Sequence, residues 1–356
     1  MTSTPEHSGG RADLYASLER LRQRRLNEDE RLVCMERARL LEASCRQHTH
    51  LPRPRRQAAI LRDLCEQTTP LVDPEDVLLG RVPQTLPNAD EEAFIAAHPE
   101  LFVDPGLPGC LDSLSIFVPD WGWLLTAGLS GLAGEAREAL ADADEAGREF
   151  LTAAVEAIEA LSTLVRRYAA AARDAGLPSA AARCDRVASE PPATFAEALQ
   201  LLQITHTALS VLIGGRDVTP GRMDQYLLPL YRRDLAEGRL DREEAVALLA
   251  HFMLGLTQAA GNGTDFDDNL RRSPCRYSHF YVTIGGAAED GGPAGNELSL
   301  AILDAVDLLD YKEPTVLVRY RADLAPQLKQ RVAELIIARR PVTLYNDPVV
   351  LRGLER

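Results

Sequence analysis

The run Pro191-Pro-Ala-Thr-Phe-Ala-Glu-Ala-Leu-Gln200, followed by Thr219-Pro-Gly-Arg-Met-Asp-Gln-Tyr-Leu-Leu-Pro-Leu-Tyr231, constrains the fold more than any other part of this chain. Adjacent prolines do not continue a helix, so the pattern before them ends there. Directly after them, Thr194 and Glu197 have the spacing of a capping box, in which hydroxyl and carboxylate each satisfy a backbone N–H of the first turn. The second run reads as a turn through Pro220 and Gly221 leading into an amphipathic helix. Arg222 and Asp224 are two residues apart and therefore not helical face-mates. Their side chains must meet other groups, and a buried polar network is the expectation.

Around these runs the hydrophobic spacing sets the order of elements. From Ala12 to about Cys65 it is helical, with Leu14, Leu18 and Leu21, then Leu32, Met35, Leu40 and Leu41, and a proline-rich interruption at 51–56. Asp73-Pro74 reads as an N-cap with proline at the first helical position. Pro83 to Pro119 reads as loop, and two long helices rich in Ala, Leu and Glu are expected over 119–176. Asp241 and Glu244 repeat the capping signal for a helix reaching about Leu256. Strands are expected at Tyr277–Ile284, Thr315–Tyr320 and Val342–Tyr345, with helices at Asn296–Leu309 and Ala325–Arg339 between them. This order predicts a helix-rich α/β fold with part of a mixed or parallel sheet, in which strand ends carry the site. Residues 1–10 read as a disordered leader, 11–190 as a helical N-terminal region, and 191–356 as the sheet-bearing part.

Charge and cysteine usage narrow the function classes. A net charge of -14 disfavours nucleic acid and anionic membrane surfaces as partners. The polar start lacks the basic and apolar regions of a secretory signal, and no apolar run approaches a membrane span, so a cytoplasmic location is expected. Cysteines 34, 45, 65, 110, 184 and 275 form no CxxC pair and no zinc spacing. Reduced, buried cysteines and no metal site are the expectation.

Several local patterns invite a chemical reading and fail it. Gly285-Gly286 and Gly291-Gly292 flank Glu289 and Asp290 without phosphate-loop spacing, which leaves a solvated connection. Asp265-Phe-Asp267-Asp-Asn269 begins like a calcium loop, but Leu270 stands at the glycine position and Arg276 at the twelfth. Ser278-His279 has no nucleophile elbow, and Cys110 has no cationic neighbour to activate it. His206 falls on a polar stripe with Gln200, Gln203 and Ser210, read as a solvated or interhelical face or, less simply, a cavity lining.

Taken in order, Asp73-Pro-Glu-Asp-Val-Leu-Leu-Gly-Arg81, Val118-Pro-Asp-Trp-Gly-Trp-Leu-Leu-Thr-Ala-Gly128, the two runs at 192–231, Asp234 to Ala245, Val282-Thr-Ile-Gly-Gly286, Asn296-Glu-Leu-Ser299, Pro314 to Arg319, Pro341 and Tyr345-Asn-Asp347 resemble the glycyl radical enzymes, in their pyruvate formate-lyase and diol-dehydratase branch. The resemblance implies the N-terminal region and first half of a ten-stranded α/β barrel, in which a cysteine loop and a glycyl-radical loop meet. Both loops are expected beyond Arg356, so no catalytic residue and no bound cofactor is expected in this chain. A complementary chain carrying them, and a radical S-adenosylmethionine activating enzyme, are the implied partners. Family substrate-contact positions are replaced here by Ser115-Ile116 and by Leu212-Ile-Gly-Gly-Arg216-Asp217, which argues against a diol substrate. Arg216, Asp217, His206 and His279 are the cavity candidates, with Arg222 and Asp224 as a structural network. The alternative implied function is a non-catalytic binding or assembly protein on the same fold, or a truncated relic.

Overall fold

Helices dominate the computed structural model, which describes residues 10–28, 32–101, 115–214, 216–258 and 281–354. Three open the chain, α1 (Arg11–Asn27), α2 (Met35–Gln47) and α3 (Arg53–Gln67). The helix expected at Asp73-Pro74 is absent. Residues 73–76 form a turn closed by Asp76 N donating to Asp73 O, because the Asp73 carboxylate that would cap a helix pairs with Arg24 and Arg81. Nor is the stretch 83–119 all loop. It contains α4 (Ala89–Ala97), whose Asn88 and Glu91 form a reciprocal capping box.

After β1 (Ser115–Phe117) come α5 (Trp121–Ala139), α6 (Glu145–Asp174) and α7 (Pro178–Val187). The double proline then turns the chain into α8 (Phe195–Thr207), where the Thr194 hydroxyl accepts from Glu197 N and the Glu197 carboxylate accepts from Ala193 N and Thr194 N. Every residue of α8 is buried. A helix buried on all sides must give its polar side chains internal partners. Its last turn widens into a π-helical turn, Ala208–Leu212, before β2 (Arg216–Val218).

The remainder alternates as read from the sequence: α9 (Met223–Tyr226), α10 (Leu228–Ala236), α11 (Arg242–Gln258), β3 (Tyr281–Gly285), α12 (Glu297–Leu309), β4 (Thr315–Tyr320), α13 (Pro326–Ile337), β5 (Val342–Asn346) and α14 (Asp347–Leu354). β1 pairs with β2, and β3, β4 and β5 pair in sequence order, all parallel. The two pieces are joined where the chain leaving β2 bridges β3 in parallel, with Thr283 N donating to Gly221 O at 2.8 Å. Five parallel segments thus follow one another in chain order. Val282, Ile284, Val316 and Val318 fill one face of this sheet, with α12 and α13 returning the chain between strands. β5 is different. Four of its five residues are exposed, and exposed Leu344 and Tyr345 are followed in α14 by exposed Val349, Leu351 and Leu354.

No helix among the described residues is long and apolar enough to cross a membrane. The four described cysteines, Cys34, Cys45, Cys65 and Cys184, are all buried, and none is in a disulfide.

Candidate functional site

The polar side chains of α8 do two separate jobs. Gln200 holds both backbone groups of Leu79, accepting from its N–H at 3.0 Å and donating to its carbonyl at 2.8 Å. One turn pair later, the Thr207 hydroxyl donates to Gly80 O at 2.7 Å. Gln203 packs beneath the same glycine, where an added Cβ would come within 2.9 Å of its Cγ. This face of α8 therefore clamps the Leu79-Gly80 turn.

His206 faces β2 instead. Its Nε2 lies 3.0 Å from Val218 O and 3.2 Å from the Ser210 hydroxyl. A carbonyl only accepts, so the imidazole proton sits on Nε2. Burial pulls the His206 pKa down to about 4, against a small opposing pull from the Val218 carbonyl. The ring is thus neutral at pH 7 and anchors β2 to the buried helix. β2 itself carries Arg216 and Asp217, with Arg216 level with Ser115 of β1. Ser115-Ile116 and Arg216-Asp217, far apart in sequence, consequently occupy neighbouring strands.

Arg222 and Asp224 act together at the end of β3. Arg222 Nη2 donates to Gly285 O at 2.8 Å, and the Asp224 carboxylate accepts from Gly285 N at 2.8 Å. Both backbone groups of one glycine are gripped by side chains two residues apart, which ends the strand there. Ser299 Oγ donates to Asp224 at 2.7 Å, and Asn296 Nδ2 donates to Asp224 O at 2.7 Å. Asn296 and Ser299 also cap α12, so one network fixes a strand end and a helix start.

Burial raises the Asp224 pKa, opposed in turn by the Ser299 hydroxyl and the Gly285 amide. A carboxyl with a raised folded-state pKa takes up protons on folding, so its ionisation lowers stability as pH rises through that pKa. Asp224→Asn keeps acceptor geometry without the charge and is expected to cost under about 1 kcal/mol. Asp224→Ala strands the Gly285 N–H and Ser299 hydroxyl and is expected to cost about 2–3 kcal/mol. Urea unfolding of the two variants at pH 7 checks the ranking, and equal losses would contradict it.

A second pair at the strand ends escaped the sequence reading as a site. Arg319 Nε and Nη2 meet Asp347 Oδ1 and Oδ2 at 3.1 and 2.8 Å. Gly285, Arg319 and Tyr345 are in register across β3, β4 and β5. The Arg319 guanidinium lies against Gly286, where a Cβ would approach Cζ to 3.0 Å. Beside the pair, a cleft of about 420 Å³ is lined by Ala287, Arg321, Ala322, Asp323, Asp347, Pro348 and Leu351. The signal available was Arg319 itself, a charge at the C-terminal end of an otherwise apolar strand.

His279 and Ser278 lie outside the described residues, as do Cys110, Cys275 and the acidic run 265–269. Among the described residues no three His, Cys, Asp or Glu side chains gather as a metal site.

A half-barrel of parallel strands wrapped by helices defines the class, and solved structures share it. A glycyl radical enzyme from Archaeoglobus fulgidus superimposes with a TM-score of 0.79 at 23% identity, covering 95% of this chain and 52% of that one. A structure of 1,2-propanediol dehydration in Roseburia inulinivorans gives 0.80 at 21% identity, covering 99% and 52%. The chain belongs to the pyruvate formate lyase-like family, whose model matches residues 112–356. Among curated relatives, "Probable dehydratase YbiW" of Escherichia coli (strain K12) is 34% identical over 249 residues, 64% of this chain and 30% of the relative. The (2S)-3-sulfopropanediol dehydratase of Klebsiella oxytoca is 28% identical over 259 residues, 67% of this chain and 31% of the relative. The chain thus spans about half the length of those solved structures, and the alignments cover under a third of those relatives.

Proposed function

We propose that this chain forms the helical N-terminal region and first half-barrel of a glycyl radical lyase or dehydratase, and that further polypeptide supplies the cysteine and glycyl-radical loops. The observation that carries the proposal is the outer edge of β5. A parallel strand exposed on four of five residues, with apolar Leu344, Tyr345, Val349, Leu351 and Leu354 exposed, supports a wall that further strands complete. Relatives named as dehydratases support the reaction class, and their greater length supports a completing half. Under this reading β1 and β2 line the substrate cavity with Arg216 and Asp217, His206 stands behind them as a neutral prop, and Arg222 with Asp224 sets the strand end. Radical chemistry would enter with the completing half and a radical S-adenosylmethionine activating enzyme.

The test pairs the native mass with the coding sequence beyond codon 356, followed by electron paramagnetic resonance of the completed protein after anaerobic activation. A continuing or adjacent frame that restores both loops and yields a glycyl radical doublet is expected. A native protein of 356 residues that binds no such half would refute the enzyme reading and leave a binding or assembly protein on the same fold.

A further inference from the structure

We infer that Arg37, in the helical N-terminal region and outside the family-matched residues 112–356, is a positioning residue for the β1–β2 pair. The inference rests on the proposed role of β1 and β2 as the cavity wall. Arg37 is one of the largest fully buried side chains, yet its guanidinium meets no carboxylate among the described residues; the ionisable groups acting on it are the thiols of Cys34 and Cys45. Burial pulls its pKa down to about 10, which leaves it charged at pH 7. A buried, uncompensated charge is costly, and an apolar side chain of similar volume would serve packing better. What the charge does instead is hold two backbone carbonyls. Nε donates to Leu212 O at 3.0 Å, and Nη1 donates to Leu101 O at 2.8 Å.

Both acceptors end helical turns. Leu101 closes the 3-10 turn Pro99–Leu101, and Leu212 closes the π-helical turn that follows α8. C-terminal carbonyls carry the negative end of the helix dipole and lack intrahelical donors, so a cation is suited to them. The Leu212 carbonyl lies four residues before β2, and the Leu101 carbonyl lies on the segment leading towards β1. One fork from α2 therefore ties the chain entering β2, the strand that pairs with β1, to the turn that ends at Leu101. Two carbonyls at fixed separation select a planar guanidinium over an ammonium, which offers a single point of charge.

Backbone amide exchange on the native chain tests this without any turnover, so a failure of the enzyme reading and a failure of this one are separable. The reporters are Thr219 N, which donates to Phe117 O across β1 and β2, and Ile213 N, which donates to Ala208 O in the π-helical turn. The control is Val316 N, bonded to Pro341 O at the far side of the sheet. Arg37→Met is expected to speed exchange at the two reporters roughly tenfold or more while leaving the control within about twofold, and Arg37→Lys is expected to restore only part of the protection. If Arg37→Met does not fold, Arg37→Lys is read by the same local criterion. Uniform loss at all three amides, unchanged exchange, or full rescue by lysine overturns the inference.

Discussion

Replacing Gly128 with alanine is expected to destabilise the protein by about 4 kcal/mol, the largest single-residue loss among the changes considered. Gly128 interrupts α5 with φ 66° and ψ 174°, a backbone region that is essentially reserved for glycine. The conformation folds α5 back on itself, so that Trp123 Nε1 reaches Glu135 at 3.1 Å although the two are twelve residues apart. Space is missing as well as conformational freedom. A Cβ on Gly128 would sit 2.7 Å from Pro191 N and 2.8 Å from Pro191 Cα, and backbone atoms cannot step aside as a flexible side chain can. Pro191 in turn fixes the approach to Thr194 and the cap of α8, so the strain falls on the entry to the central helix. At an unfolding entropy of ~2.1 cal/mol/K per residue, the loss corresponds to a Tm lower by about 5 °C. Calorimetry of wild type and Gly128→Ala measures it, and a shift under 1 °C would show that the kink is not enforced at this position.

The sequence announced those elements whose signals are local. The Thr194–Glu197 box starts α8, the Asp241–Glu244 box starts α11, and the alternating strands and helices after residue 281 appear where the apolar spacing put them. Asn88 and Glu91 carry the same local signal for α4, which the surrounding prolines and glycines masked. Asp73 shows the opposite failure. Its N-cap pattern was overruled by Arg81, eight residues on, and by Arg24, a partner that no window around residue 73 contains. The polar stripe on α8 was visible, but its meaning was not. A period of 3.6 places Gln200 and His206 in relation to one another, while the backbone of Leu79 or Val218 that each side chain serves depends on long-range packing. The same limit hid the Arg319–Asp347 pair and the union of β1 with β2, since both join residues whose proximity exists only once the sheet forms.

Between pH 6.5 and about 4 the protein is expected to lose about 3 kcal/mol of stability through His206 alone. The sign follows from which state binds the proton. In the unfolded chain the imidazole titrates near its usual 6.5, whereas burial in α8 holds the folded-state value at about 4. Over that window the unfolded state binds the proton and the folded state does not, so falling pH favours unfolding. At roughly 1.4 kcal/mol per pH unit the separation of the two values gives the stated loss, which is complete below about pH 4 and absent above 6.5. Other groups titrate in the same range, so the informative quantity is the difference between wild type and His206→Gln. Glutamine preserves a donor for the Val218 carbonyl and cannot ionise. The stability difference between the two proteins, from urea unfolding at a series of pH values, should be constant above pH 6.5 and shift by about 3 kcal/mol in favour of the variant by pH 4. Parallel curves would mean that the histidine is solvated or ionised in the folded protein. It could then serve as an acid or a cation in the cavity, in place of the neutral prop for β2 that the Val218 contact describes.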